Sequence, residues 1–79
     1  MNSSYTNAIY NKAICLKKMG KYEDAIDHFN KTIELNPNSS SVYYNKGICL
    51  GKSGKYFEAI DCFDKAIELK PNYDLVSQA

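Results

Sequence analysis

The amino-acid sequence contains one segment twice. Residues 6–39 align with residues 40–73 without a gap, at a period of 34, and 20 of the 34 aligned pairs are identical. A unit of this length cannot bury its apolar face alone, so neighbouring units stack and share a core. The sequence therefore predicts a single domain over 1–79, with repeat 1 at 6–39, repeat 2 at 40–73 and a truncated third repeat or cap at 74–79.

The first half of each repeat has the periodicity of a helix. In repeat 1, Ile9, Ala13, Leu16 and Met19 recur at steps of four and three, which places them on one helical face. Gly20 follows at the point where this stripe changes phase. Glycine takes the left-handed conformation that ends many helices, so we expect a helix boundary there.

The second half of each repeat predicts another helix. Ala25, Phe29 and Ile33 form its apolar stripe, and Pro37 ends it because proline lacks an amide hydrogen and restricts the residue before it. Side-chain oxygens in 38–40 are expected to cap the next helix. No segment alternates apolar and polar residues as a strand would, so the predicted fold class is all-α.

Small residues stand where two helices must come close. Ala13 and Gly47 lie in the middle of the first helix of each repeat, and Ala25 and Ala59 lie near the start of the second. Side chains of this size allow helix axes to approach to ~8 Å. We therefore expect each repeat to form a tightly packed hairpin.

Two strings carry a resemblance to a known family. They are Gly20-Lys21-Tyr22-x-x-Ala25-Ile26-x-x-Phe29, closing with Pro37-Asn38, and Gly54-Lys55-Tyr56-x-x-Ala59-Ile60-x-x-Phe63, closing with Pro71-Asn72. With the period of 34, they resemble the tetratricopeptide repeat (TPR). The resemblance implies an α-solenoid of two tandem helix-turn-helix repeats in a right-handed superhelix, with the start of a third unit.

The resemblance also implies a binding surface. In this family the first helix of each repeat lines a concave groove that takes a peptide or a helix of another protein. Carried over by position, the groove residues are Asn7, Tyr10, Asn11, Ile14, Lys17 and Lys18 in repeat 1, and Ser41, Tyr44, Asn45, Ile48 and Lys52 in repeat 2. Lysines without acidic neighbours on this face favour an acidic peptide or a C-terminal carboxylate.

A second interpretation is a structural unit that mainly stacks or self-associates. The predicted second helix of repeat 2 carries Ile60, Ile67 and Leu69, and too few residues follow it to form a full cap. Solenoids generally need polar caps on their terminal repeats. On this interpretation the uncapped C-terminal end is covered by another copy of the chain or by further protein.

Other function classes find little support in the sequence. The formal net charge is +1 and every cation is a lysine, which disfavours nucleic-acid and membrane partners. His28 is the single histidine, aligned with Cys62, and no third group completes a catalytic or metal site, so we predict no enzyme and no cofactor. Three cysteines without a C-x-x-C pair, and no signal peptide, predict a cytoplasmic protein.

Local contacts are predicted as well. Cys15 and Cys49 occupy the same repeat position and are expected to be small buried hydrophobic residues. Asp27 stands four residues before Lys31, and the same spacing recurs at 61 and 65 in repeat 2. These pairs are expected to form ion pairs along the helix surface.

Overall fold

A computed structural model describes residues 4–70, which form four helices and contain no strand. These are α1 (Ser4–Lys18), α2 (Tyr22–Leu35), α3 (Ser40–Lys52) and α4 (Tyr56–Leu69). Helix α1 packs against α2, α3 packs against α4, and α2 packs against α3. The two predicted hairpins thus lie side by side, and the all-α prediction is confirmed. The predictions made for Pro71, Asn72 and 74–79 lie outside the described residues.

The turn inside each hairpin is built around a glycine. Gly20 has φ +81° and its amide donates to the carbonyl of Lys17 at 3.0 Å, while the Lys21 amide donates to the carbonyl of Leu16 at 2.9 Å. This pair of bonds is the Schellman motif, which satisfies carbonyls left open at a helix end. Gly54 repeats the arrangement with φ +83°. The predicted helix ends are confirmed. Glycine suits both positions because only glycine takes this φ without strain.

The connection between hairpins follows the prediction in part. Helix α2 ends at Leu35, two residues before Pro37, as predicted. The prediction of side-chain capping was wrong, since Ser39 precedes α3 without a side-chain hydrogen bond to it. The amide that a Ser39 hydroxyl would cap, that of Val42, donates instead to the Ser39 carbonyl oxygen at 3.2 Å.

The core lies between the hairpins and within each of them. It is formed mainly by buried side chains: Ala13, Ala25, Ile26, Phe29, Val42, Cys49, Leu50, Ala59 and Cys62. Thr32 is also buried, and its hydroxyl donates to the carbonyl of His28 at 2.9 Å. A Cβ on Gly47 would lie 2.7 Å from Cε1 of Phe63, so the close approach predicted at this position is confirmed.

Two residues that were expected to be apolar contacts in repeat 1 are exposed. Met19 lies beyond the end of α1 and is 66% exposed, so the stripe ends at Leu16. Cys15 is exposed, whereas Cys49 at the same repeat position is fully buried. The expectation was wrong for Cys15. This repeat position is buried where the second helix of a preceding repeat packs on it; α2 packs on α3 in this way, and no such helix packs on α1 within residues 4–70.

The predicted ion pairs along the second helices have different partners. Lys31 lies 3.8 Å from Glu34, and Lys65 lies 3.4 Å from Glu68. Residues three apart are also neighbours on a helix, and the longer glutamate side chain reaches the ammonium group where aspartate does not. These pairs are well exposed and contribute at most about 1 kcal/mol each.

Candidate functional site

The sequence-predicted groove residues all lie on α1 and α3, which contact each other across the boundary between repeats. Six of them are exposed: Asn7, Asn11, Lys18, Ser41, Tyr44 and Lys52. The remaining five are half-buried: Tyr10, Ile14, Lys17, Asn45 and Ile48. The structure therefore brings the two halves of the predicted set onto neighbouring helices, where exposed and half-buried side chains are interspersed.

Asn45 joins the two repeats at the centre of this surface. Its Nδ2 donates to the phenol oxygen of Tyr10 at 3.1 Å and to the carbonyl of Ser41 at 2.9 Å. Its Oδ1 accepts from Nζ of Lys17 at 2.7 Å. Both amide hydrogens of Asn45 are thus used within the protein, and the side chain holds α1 and α3 in register.

This role of Asn45 was not foreseen from the sequence. Asn11 and Asn45 are aligned, and the sequence assigned both to the predicted groove. In the structure Asn11 is exposed while Asn45 is half-buried and hydrogen-bonded across the repeat boundary. The sequence signal for this contact was the Tyr-Asn pair that recurs in both repeats, as Tyr10-Asn11 and Tyr44-Asn45. When the repeats stack, the tyrosine of one repeat lies near the asparagine of the next.

Two tyrosines provide the aromatic part of the surface. Tyr10 packs on Phe29 with ring centroids 5.9 Å apart, and Tyr44 packs on Phe63 at 5.8 Å, both tilted. Such pairs stabilise beyond the area that they bury. Burial raises the pKa of Tyr10, and the hydrogen bond from Asn45 opposes this only in part. Tyr44 is 55% exposed and presents much of its ring to solvent.

Charge is strongly separated between the helices. Helices α1 and α3 carry five lysines and no acidic residue: Lys12, Lys17, Lys18, Lys46 and Lys52. Helices α2 and α4 carry two lysines and eight acidic residues: Glu23, Asp24, Asp27, Glu34, Glu58, Asp61, Asp64 and Glu68. The net charge of +1 does not reveal this separation, which makes α1 and α3 the positive helices of the described structure and α2 and α4 the negative ones.

The histidine and the two buried cysteines are held in environments that do not favour reactivity. His28 Nδ1 donates to the carbonyl of Asp24 at 2.9 Å, which assigns the ring proton to that nitrogen. Burial raises the pKa of the Cys49 and Cys62 thiols, which favours the unreactive protonated form. Within residues 4–70, no group of three His, Cys, Asp or Glu could hold a metal ion.

None of the four described helices combines the length and the apolar character that crossing a bilayer requires.

Two stacked hairpins of closely similar sequence define a helical repeat protein. The family of the tetratricopeptide repeat matches residues 6–39 and 40–73, and the chain belongs to that family. Repeats of this family are generally protein–protein interaction modules, and the family is typically one of non-enzymatic scaffolds. No curated protein matches the chain.

Proposed function

We propose that this chain is a non-catalytic scaffold module that binds an acidic peptide or partner helix on the surface formed by α1 and α3. The observation that carries the proposal is the charge separation between first and second helices, with five lysines and no acid on α1 and α3. A surface of one charge sign attracts a ligand of the other and excludes like-charged ones. Three free thiols support a cytoplasmic location.

The exposed groove residues have distinct proposed roles. Tyr44 offers an aromatic ring whose contact with a ligand costs little side-chain entropy. Asn7 and Asn11 are exposed amides that can donate to and accept from a peptide backbone. Lys18 and Lys52 are exposed ammonium groups that can pair with ligand carboxylates. Asn45, whose amide hydrogens are already bonded, is proposed to support the surface rather than to contact the ligand.

The binding should depend on salt because its charged groups are exposed. Screening at ~0.15 M ionic strength acts over ~8 Å, so attraction between exposed lysines and a peptide weakens as salt rises. Apolar contact with Tyr44 should remain. The proposal therefore predicts binding that weakens with salt without disappearing.

The test uses a matched pair of peptides. One is a ten-residue peptide rich in Asp and Glu, and the other has the same sequence with Asn and Gln at those positions. Titration of isotopically labelled protein at low concentration gives affinity and location together. We expect amide shifts in α1 and α3, and an affinity for the acidic peptide that is at least about tenfold higher, which corresponds to about 1.4 kcal/mol.

Charge variants of the protein provide the control. Lys18→Gln with Lys52→Gln removes two positive charges from the proposed surface, whereas Lys31→Gln with Lys65→Gln removes two from α2 and α4. Only the first pair should weaken the acidic peptide. Equal weakening by both pairs, or shifts confined to α2 and α4, would reject the proposal.

The alternative, a unit that mainly stacks, also has an observation in its favour. Ile60 and Ile67 on α4 are 52% and 59% exposed, although their counterparts in repeat 1 pack into the molecule. This exposed end is separate from the proposed peptide surface, so the two activities are not exclusive.

A further inference from the structure

Identical residues in the two repeats differ sharply in exposure on α2 and α4. Ile26 is 8% exposed, while its counterpart Ile60 is 52% exposed. Tyr22 is half-buried, while its counterpart Tyr56 is 67% exposed. Within the described chain, α3 packs on α2, but no corresponding helix packs on α4. We call Tyr56, Ile60 and Ile67 the trailing face.

The opposite difference is found on the first helices. Cys49 is fully buried, while Cys15 is exposed, and Val42 is 2% exposed, while the aligned Ala8 is exposed. Cys49 and Val42 lie on α3, which contacts the preceding α2, whereas α1 has no preceding repeat among the described residues. We call Ala8 and Cys15 the leading face.

The internal junction between α2 and α3 is therefore a template for a junction between chains. The trailing face repeats the side chains that α2 offers at this junction, with Ile60 in place of Ile26 and Ile67 in place of Ile33. The leading face repeats Cys49 as Cys15. Each end of the described four-helix structure thus presents one half of an interface that the chain already forms within itself.

We propose that a second copy of this chain covers the trailing face, with its α1 lying on α4 as α3 lies on α2. The two contact surfaces differ, so the association is head-to-tail and can continue from copy to copy. The hydrogen bond between Asn45 and Tyr10 has a counterpart in this arrangement. Asn11 of the second copy would donate to Tyr44 of the first, and both residues are identical to the internal pair.

Two differences from the internal junction affect its strength. Ala8 replaces Val42, which removes apolar contact area. Phe57, 87% exposed, replaces Glu23, which pairs with Lys55 at 3.6 Å in the internal junction. The junction between copies is therefore weaker than the internal one and relies more on apolar contact, so its strength should change little with salt.

The competing hypothesis is that the chain's own segment 71–79, outside the described residues, covers the trailing face. A second copy is favoured because its α1 repeats Cys49 as Cys15 and Asn45 as Asn11, and α3 already packs on α2 and bonds to α1 through these positions within the structure. If segment 71–79 covered the face, the full chain would stay monomeric at every concentration.

The test is sedimentation velocity on the full chain from about 10 µM to about 1 mM. A tail-blocked variant carries Ile60→Lys and Ile67→Lys, and a head-blocked variant carries Ala8→Lys and Cys15→Lys. A control variant carries Asp27→Asn and Asp61→Asn, which removes two negative charges and so changes the net charge by the same +2, at positions that are exposed in both repeats. Circular dichroism at low concentration checks that every variant folds.

The expected result is an average mass that rises with concentration in the wild type and in the control, while each blocked variant stays monomeric. An equimolar mixture of the two blocked variants should form a dimer that grows no further, since one intact face of each kind remains. A wild type that is monomeric throughout overturns the proposal. So does association that persists in the head-blocked variant alone, which would indicate contact between two trailing faces.

The proposal does not rest on peptide binding, and the two can fail separately. Peptide titration at low concentration addresses the monomer, whereas the mixing experiment contains no peptide.

Discussion

Asn45 on α3 donates to the phenol oxygen of Tyr10 on α1, 3.1 Å away, and so connects the first helices of the two repeats. The same two residue types recur as Asn11 and Tyr44, at the two ends of the array. One tyrosine–asparagine pair is therefore half-buried and hydrogen-bonded between the repeats, whereas Asn11 and Tyr44 are exposed. Position in the array, rather than residue type, decides which asparagine has a structural role.

The first prediction compares the two asparagines. Asn45→Ala removes bonds to Tyr10, Ser41 and Lys17, so we expect a loss of about 1–2 kcal/mol in the free energy of unfolding. Asn11→Ala, at an exposed site, should change it by less than about 0.5 kcal/mol. Urea denaturation at low protein concentration measures both. Equal losses would show that the bonds of Asn45 add nothing to stability.

The second prediction concerns two glycines of α3. A methyl group on Gly47 would meet the Phe63 ring at 2.7 Å, whereas one on Gly51 would meet nothing within 4 Å. Alanine stabilises a helix interior by about 1 kcal/mol relative to glycine, so Gly51→Ala should raise the thermal midpoint. Gly47→Ala should lie about 1–3 kcal/mol below Gly51→Ala because of overpacking. Differential scanning calorimetry of both variants tests this, and similar midpoints would mean that Phe63 moves aside freely.

The third prediction is that the three thiols react at different rates. Cys15 is exposed, whereas Cys49 and Cys62 are buried and their pKa values are raised by burial. Ellman's reagent near neutral pH should modify one thiol quickly and the other two only on unfolding. The variant Cys15→Ser should lose the fast phase. Rapid reaction of more than one thiol would contradict the buried placement.

The fourth prediction is a loss of stability at alkaline pH. Burial raises the pKa of Cys49 and Cys62 above the value of about 8.5 in the unfolded chain. Above that value the unfolded state releases these protons while the folded state keeps them, so the free energy of unfolding falls as pH rises. Below that value the contribution is fully present. Tyr10 adds the same trend at higher pH.

Denaturation at a series of pH values between about 7 and 10 tests this. Cys62→Ala should flatten the decline, whereas Cys15→Ala, at an exposed site, should leave it unchanged. A decline of the same steepness in wild type and Cys62→Ala would exclude the buried thiol as its cause.

Much of this architecture follows from local rules that act within one repeat. The period of 34, the glycines at 20 and 54 and Pro37 predict two helical hairpins, because each depends on the backbone of its own segment. Ala25 and Ala59 are buried as their positions predict. The residues of the predicted groove lie on α1 and α3, since their helical positions follow from the repeat.

Contacts between repeats required the tertiary structure, because aligned positions in a repeat have identical sequence signals and different neighbours. Cys15 and Cys49 cannot be distinguished by type, yet one is exposed and the other buried, since within residues 4–70 a preceding repeat packs on α3 and none packs on α1. The residue pattern thus specified each hairpin and the small residues at which its two helices approach closely. The stacking of one hairpin on the next decided which of two equivalent side chains is buried, hydrogen-bonded or left open to a partner.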